Sequence, residues 1–284
     1  MPNAASNPPC FLLSSPRAGS TLVSRVLDSH SKISSPCEIC VPYVVRSCWK
    51  LQKSIASMRK ICDYYGVRIP RPALRLARRR MARGHMDKLV AQILLREEKE
   101  TLVIKDPRHA VHSAGIERLY ADEPPKYLLL HRDARAVCHS FVSTLGREPE
   151  RGFRVWLEAS RQMLACERQF PERCLSVRFE DFLSIPELTV ARITRFMGHS
   201  FEREMLEYGQ SSHADDHLGL WTNPRLISSV NRGAIESAKQ SEWWSNQSVL
   251  DMYDASPAVQ ELNRELGYGD PVVAEEQPLV RRAA

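Results

Sequence analysis

The chain has 284 residues, 40 Lys and Arg against 34 Asp and Glu, 43% hydrophobic and 26% charged residues. These are the proportions of an ordinary globular chain, long enough for one large α/β domain or two small ones. No apolar run nears eighteen residues, the start lacks the basic and apolar segments of a signal peptide, and a net charge of +6 suits an anionic ligand without implying nucleic acid. Eight irregularly placed cysteines are expected as reduced thiols in a cytoplasmic protein.

The stretch Cys10 to His30 organises the rest. Phe11-Leu12-Leu13 reads as a short buried parallel strand. Ser14-Ser15-Pro16-Arg17-Ala18-Gly19-Ser20-Thr21 then forms a small polar loop with one fixed cation. Leu22, Val23, Val26 and Leu27 recur at helical spacing, so a helix should begin near Gly19 or Ser20. A strand, a small-residue loop and a helix N-terminus together make a phosphate cradle, because the loop amides and the helix dipole favour negative charge. Ser14 stands at the first glycine of a Walker A loop and Ser20 at its lysine, so a triphosphate with magnesium is disfavoured. An ordinary Ser/Gly turn is the plain alternative.

A polar turn from Ser29 to Ser35 leads to Pro36-Cys37-Glu38-Ile39-Cys40-Val41-Pro42. Glu38 should lie where the chain re-enters the C-terminal edge of the sheet, where parallel α/β proteins place ligands. Without a second cysteine pair, Cys37 and Cys40 make a weak case for redox or zinc chemistry. A helical segment is expected from about 43 to 100, broken by Gly66, Pro70 and Pro72. Its arginines, Arg71 to Arg83, suit a solvated face better than an acidic or carrier-protein partner.

Leu102-Val103-Ile104 is a second strand, ending in Lys105-Asp106-Pro107-Arg108, and Lys105 should point at the same edge as the first loop. Residues Lys126 to His131 form a third, followed by Arg132, by Asp133 as a helix N-cap, and by Ser140 about two turns into that helix. Arg135 fits a structural ion pair. Gly152 to Phe170 reads as an amphipathic helix, Leu175 to Phe179 as a fourth strand, and Pro186 to Met197 as a helix with proline in its first turn. Strands alternating with helices predict a parallel sheet with helices on both faces. The polar stretch from about 208 to 240 suits a lid better than a metal site at His213 and His217. Trp243 and Trp244 open a final helical region, and residues 271–284 are expected as a frayed tail after one domain over about 1–270.

Three motifs at strand ends now stand in order: Ser15 to Thr21, Lys105-Asp106-Pro107, and Arg132-Asp133 followed by Ser140. Together they resemble the sulfotransferases that use 3′-phosphoadenosine 5′-phosphosulfate (PAPS), most closely the branch with tyrosylprotein sulfotransferases and the sulfotransferase domains of bacterial polyketide synthases. The resemblance runs from about Phe11 to Phe182 and more faintly to Tyr268. It implies a P-loop-like sheet with a helical insertion, and PAPS as donor with the product PAP and no metal. Arg17, Ala18, Gly19, Ser20 and Thr21 would surround the 5′-phosphosulfate, and Arg132 and Ser140 would hold the 3′-phosphate. Glu38 falls at the general base and Lys105 at the cation near the transferring group. In the region 228–232, Arg232 is the cation available for a cofactor-closing loop. Ala18 stands where serine is common and Phe179 where tyrosine is common. The expected acceptor is a small-molecule hydroxyl, with no nucleic acid and no membrane span; a homodimer or carrier-protein contact stays open. A P-loop-like kinase and a non-catalytic nucleotide-fold binding protein are the competing readings.

Overall fold

The computed structural model describes residues 8–36, 38–45, 48–211, 213, 235 and 242–269. Phe11, Leu12 and Leu13 are wholly buried because strand β1 (Cys10–Ser14) runs through the middle of a parallel sheet and is covered on both faces. The sheet has five strands in the order β2-β3-β1-β4-β5, with β2 (Ile33–Ser34), β3 (Thr101–Lys105), β4 (Tyr127–His131) and β5 (Cys174–Arg178). Every strand pairing is parallel, with Leu12 opposite Lys105 on one side and Leu128 on the other. Such strands have no solvent face, which is why they read as unbroken apolar runs.

Alternate β1 side chains enter different layers, as a two-residue repeat requires. Phe11 and Leu13 pack with Met86 and Leu89 of α4 (Arg79–Glu97) and with Ala159 and Met163 of α7 (Pro149–Gln169). Leu12 packs with Val23, Val26 and Leu27 of α1 (Ser20–Asp28) and with Val190 and Ile193 of α9 (Pro186–Met197). A third cluster joins α6 (Ala134–Leu145) and α7 to α10 (Gln247–Asp254) and α11 (Pro257–Glu265).

The helical segment resolves into α2 (Cys48–Tyr64), α3 (Arg71–Leu76) and α4, with Gly66 at a φ of +71° between the first two. Its arginines behave as a helix face: Arg79 pairs with Asp122 at 3.2 Å, and Arg83 with Asp87 at 2.6 Å and Glu123 at 2.7 Å. Two boundaries differ from expectation. Helix α7 starts at Pro149, where proline suits the first turn. Strand β5 stops at Arg178, and Phe179 instead opens a short helix, α8 (Phe179–Ser184), whose first turn carries Glu180 and Asp181. Acidic residues favour a helix start through the dipole.

Candidate active site

The strand ends bring the predicted residues to one edge of the sheet. The loop after β1 turns through two left-handed residues, Arg17 at a φ of +70° and Gly19 at +94°. Gly19 is also the N-cap of α1 and offers no side chain to cap it. The first amides of any α-helix have no carbonyl four residues back, so they are open to an anion. The space beside Gly19 is taken by protein: a Cβ there would lie 2.2 Å from Cε2 of Phe179. Phe179 stacks on Phe182 with a centroid separation of 6.2 Å and lies under the Arg132 guanidinium at 4.8 Å. The residue expected as a missing hydroxyl is thus an apolar floor.

Lys105, the last residue of β3, is fully buried, with its ammonium nitrogen 3.1 Å from Oε1 of Glu38 and 3.3 Å from Oγ1 of Thr21. Glu38 is brought there by a parallel backbone bridge to Lys105, continued by the Ile39 amide donating to the Lys105 carbonyl at 3.0 Å. Asp106 does not pair with Lys105. It is fully buried and accepts from the Arg108 amide at 2.8 Å, from Nε at 2.8 Å and from Nη2 at 2.5 Å. Burial alone would raise its pKa; the Arg108 hydrogen bonds and charge outweigh that and hold it below the usual carboxylate value.

On the other side, Arg132 donates to the Arg17 carbonyl at 3.1 Å, and its own carbonyl accepts from the Trp156 indole at 2.9 Å. Asp133 caps α6 as expected and grips Arg135 through Nε at 3.0 Å and Nη2 at 2.7 Å. Arg135 is buried beneath Trp243 at 4.2 Å, so both residues serve packing. The Arg17 side chain crosses to α6, where Nε donates to Ser140 at 3.0 Å and Nη2 to Thr144 at 3.2 Å. Burial, and then the nearby Arg132 charge, lower the Arg17 pKa from its ordinary value. The Glu38 carboxylate acts in the opposite sense and partly offsets this on Arg17.

Sequence reasoning brought Arg17, Ala18, Gly19, Ser20, Thr21, Glu38, Lys105, Arg132 and Ser140 to this edge; Arg232 lies outside the described residues. It missed Thr144, the Asp106–Arg108 pair and Asn263, which is fully buried on α11 and accepts from the Ala134 amide at 2.9 Å. Asp106 and Arg108 are two residues apart, an Asx-type cap around Pro107, and Ser140 and Thr144 are four apart on one helix face, so both left a local signal; Asn263 left none. Among the described residues no group of three or more metal-ligating side chains occurs, and no helix is long and apolar enough to cross a membrane. His213 is a buried anchor, with Nδ1 2.7 Å from Asp28 and Nε2 3.1 Å from the Tyr208 carbonyl. Asp215, Asp216 and His217, like Cys37, most of the expected lid and the tail 271–284, lie outside the described residues. Cys40 is a buried thiol 2.9 Å from Ser54, its pKa pushed up by burial to about 12.

A parallel α/β sheet with an anion-binding loop after its first strand, a basic strand tip and a second basic strand end defines a P-loop-like group-transfer fold. Residues 8–203 match the profile of the sulfotransferase family, and the chain belongs to that family. A putative protein-tyrosine sulfotransferase of Caenorhabditis briggsae is 26% identical over 179 residues, 59% of this chain and 61% of that protein. Protein-tyrosine sulfotransferase A of Caenorhabditis elegans is 26% identical over 278 residues, 93% of this chain and 68% of that protein. The alignment thus spans about three fifths of the first of these relatives. The sulfotransferase domain from the curacin biosynthetic pathway superposes with a TM-score of 0.70 at 22% identity, covering 94% of this chain and all of that one, which establishes the fold.

These relatives correct one expectation. The acceptor expected from the sequence was a small molecule, whereas relatives from Caenorhabditis and Gallus gallus are named for transfer to protein tyrosine. The expectation failed because acceptor choice depends on walls away from the donor motifs, and those walls follow no short pattern.

Proposed function

We propose that this chain transfers a sulfuryl group from PAPS to the phenolic hydroxyl of a tyrosine in a protein, working as one domain over about residues 1–270. The observation that carries the reading is the position of the Lys105 ammonium, in contact with both Glu38 and the loop residue Thr21. A cation held there touches the proton acceptor and the anion cradle at once. Family membership supports PAPS as donor. The residues fit a donor with two separated anionic ends: the loop amides and Lys105 for the 5′ end, and Arg132 with Ser140 for the 3′-phosphate.

When bound, PAPS supplies a sulfuryl group already activated by its phosphate leaving group. Glu38 is the general base that takes the proton of the acceptor hydroxyl. It retains about a third of its side-chain exposure, enough to meet an incoming hydroxyl. A phenol near pKa 10 gives up its proton to a carboxylate more readily than an alcohol does, which favours tyrosine. Lys105, in reach of Glu38 and of the loop, stabilises negative charge as it develops, and Phe179 keeps water from beneath Arg132.

The test is transfer of radiolabelled sulfate from PAPS to tyrosine-containing polypeptides, with phenylalanine counterparts as controls. Labelling should require the tyrosine and vanish in Glu38→Gln, while calorimetric affinity for PAP stays within about twofold. Loss of PAP binding in Glu38→Gln would remove Glu38 from the role of base. ATP- and magnesium-dependent phosphate transfer would overturn the whole reading in favour of a kinase.

A further inference from the structure

Helix α4 has two distinct faces, and the core accounts for one of them. Ala82, Met86, Leu89, Val90 and Ile93 are buried. On the opposite side Arg80, Gly84, Lys88, Ala91 and Leu95 follow one another at intervals of three or four residues, so they form one stripe along the helix. Arg80, Lys88, Ala91 and Leu95 are exposed, and a side chain at Gly84 would meet nothing within 4 Å. Met81, next to Arg80, is 54% exposed. Leu95 is 72% exposed, the most of any large hydrophobic among the described residues.

The stripe is also basic without compensation. Arg79 and Arg83 have partners in Asp122, Asp87 and Glu123. Arg78, Arg80 and Lys88 form no ion pair with any described residue, and Arg71 adds a further exposed cation just upstream. The two acids within α4 are both engaged, Asp87 by Arg83 and Glu97 by Ser34 and Tyr65. Met81 and Leu95 stand about 21 Å apart along the helix axis at 1.5 Å per residue. Two apolar side chains so far apart, with cations between them, do not make the compact apolar centre on which a folded protein partner relies. They match a bilayer surface, where cations meet anionic head groups and single apolar side chains enter the acyl boundary at any spacing.

We propose that the exposed face of α4 is a peripheral membrane-docking surface, on which Arg78, Arg80 and Lys88 contact anionic phospholipid head groups while Met81 and Leu95 enter the interface. The same helix is tied to the segment that carries Glu38: Nδ1 of His85, one turn on from Met81, lies 2.7 Å from the hydroxyl of Tyr43, five residues beyond Glu38. Docking by this face therefore holds that segment close to the membrane surface. The inference depends on neither the donor nor the acceptor.

Co-sedimentation with vesicles tests it, using phosphatidylcholine alone and phosphatidylcholine mixed equally with phosphatidylglycerol. The protein should bind the mixed vesicles only, and less as salt rises. Combining Arg78→Gln, Arg80→Gln and Lys88→Gln should weaken partitioning about a hundredfold, at roughly fivefold per charge. Met81→Gln with Leu95→Gln should weaken it at least about tenfold. Leu188→Gln, at a similarly exposed leucine on α9, should change nothing. The urea midpoint of every variant should stay that of wild type, since all these side chains lie at the surface. No binding to the mixed vesicles would overturn the proposal, as would binding that either set of α4 variants leaves intact, or equal weakening by Leu188→Gln. Binding to polyglutamate as tight as to the mixed vesicles, and indifferent to Met81→Gln with Leu95→Gln, would overturn it in favour of an acidic protein partner.

Discussion

Lys105 and Glu38 are joined twice, by a parallel backbone bridge and by an ion pair of 3.1 Å between their side chains. The backbone link brings the carboxylate to the strand tip whatever the side chains do. The ammonium is 1% exposed and the carboxylate 36%, so the cation is fixed and the carboxylate faces outward. Lys105→Met keeps the length of the chain and removes its charge. Turnover should fall roughly 10²- to 10³-fold, the scale of losing one preorganised charge-stabilising donor, with PAP affinity changed far less. Steady-state kinetics beside calorimetry separates the two; equal losses in both would assign Lys105 to binding alone.

Gly19→Ala should damage the loop from two directions. Its φ of +94° disfavours any side chain, and the new methyl would meet the Phe179 ring at 2.2 Å. Strain and overpacking each cost about 1–3 kcal/mol. A lowered urea midpoint with weakened PAP binding is expected. A Gly19→Ala protein as stable as wild type would contradict the packing of Phe179 on the loop.

Asp106 anchors the turn after Lys105. Its carboxylate is fully buried and Arg108 supplies its charge partner. Arg108 keeps 29% of its side-chain exposure and can be solvated once the carboxylate is gone, so the loss is that of charge-assisted hydrogen bonds, about 1.5–3 kcal/mol. Asp106→Ala should approach that loss in chemical denaturation, and Asp106→Asn should lose less, since the amide oxygen still accepts from the Arg108 backbone. The sign of the pH effect follows from a pKa held below the ordinary value: the stabilisation is present above the unfolded pKa and is lost as pH falls through the folded one, so it fades only in strong acid.

Two histidines act at milder pH. Burial pushes the pKa of His109 and of His131 down to about 4. His109 is held neutral with Nε2 accepting from the Val41 amide at 3.1 Å. An unfolded histidine binds its proton near pH 6.5, so between about pH 6.5 and 4 the unfolded state carries the extra protons and stability falls as pH falls. Each histidine contributes up to about 1.4 kcal/mol per pH unit in that window. Melting temperatures measured from pH 7 to 4.5 should drop, and His131→Gln should flatten the slope. A wild-type stability level across that range would refute the neutral, buried assignment.

Much of the architecture was readable locally. The apolar runs at Phe11, Val103 and Leu128 announce strands covered on both faces, because only such strands dispense with polar alternation. Pro186 marked the start of α9 correctly. Phe179 was misread as strand because its apolar character fits either state, and the acidic pair after it tips the balance to helix. Thr144 and Asn263 escaped because their partners, Arg17 and Ala134, lie 127 and 129 residues away.

The sequence by itself determined the order of the elements, the glycine-bearing loop after the first strand, and the residues that end each strand at the C-terminal edge of the sheet. These follow from side-chain period, turn chemistry and the geometry of parallel strands, all of which act over a few residues. Tertiary structure alone decided that Lys105 meets Glu38, that Phe179 floors the loop beneath Arg132, and that Arg17 reaches across to α6. Those contacts depend on which strands lie side by side and on how helices pack over them, a choice made by burial summed over the whole chain.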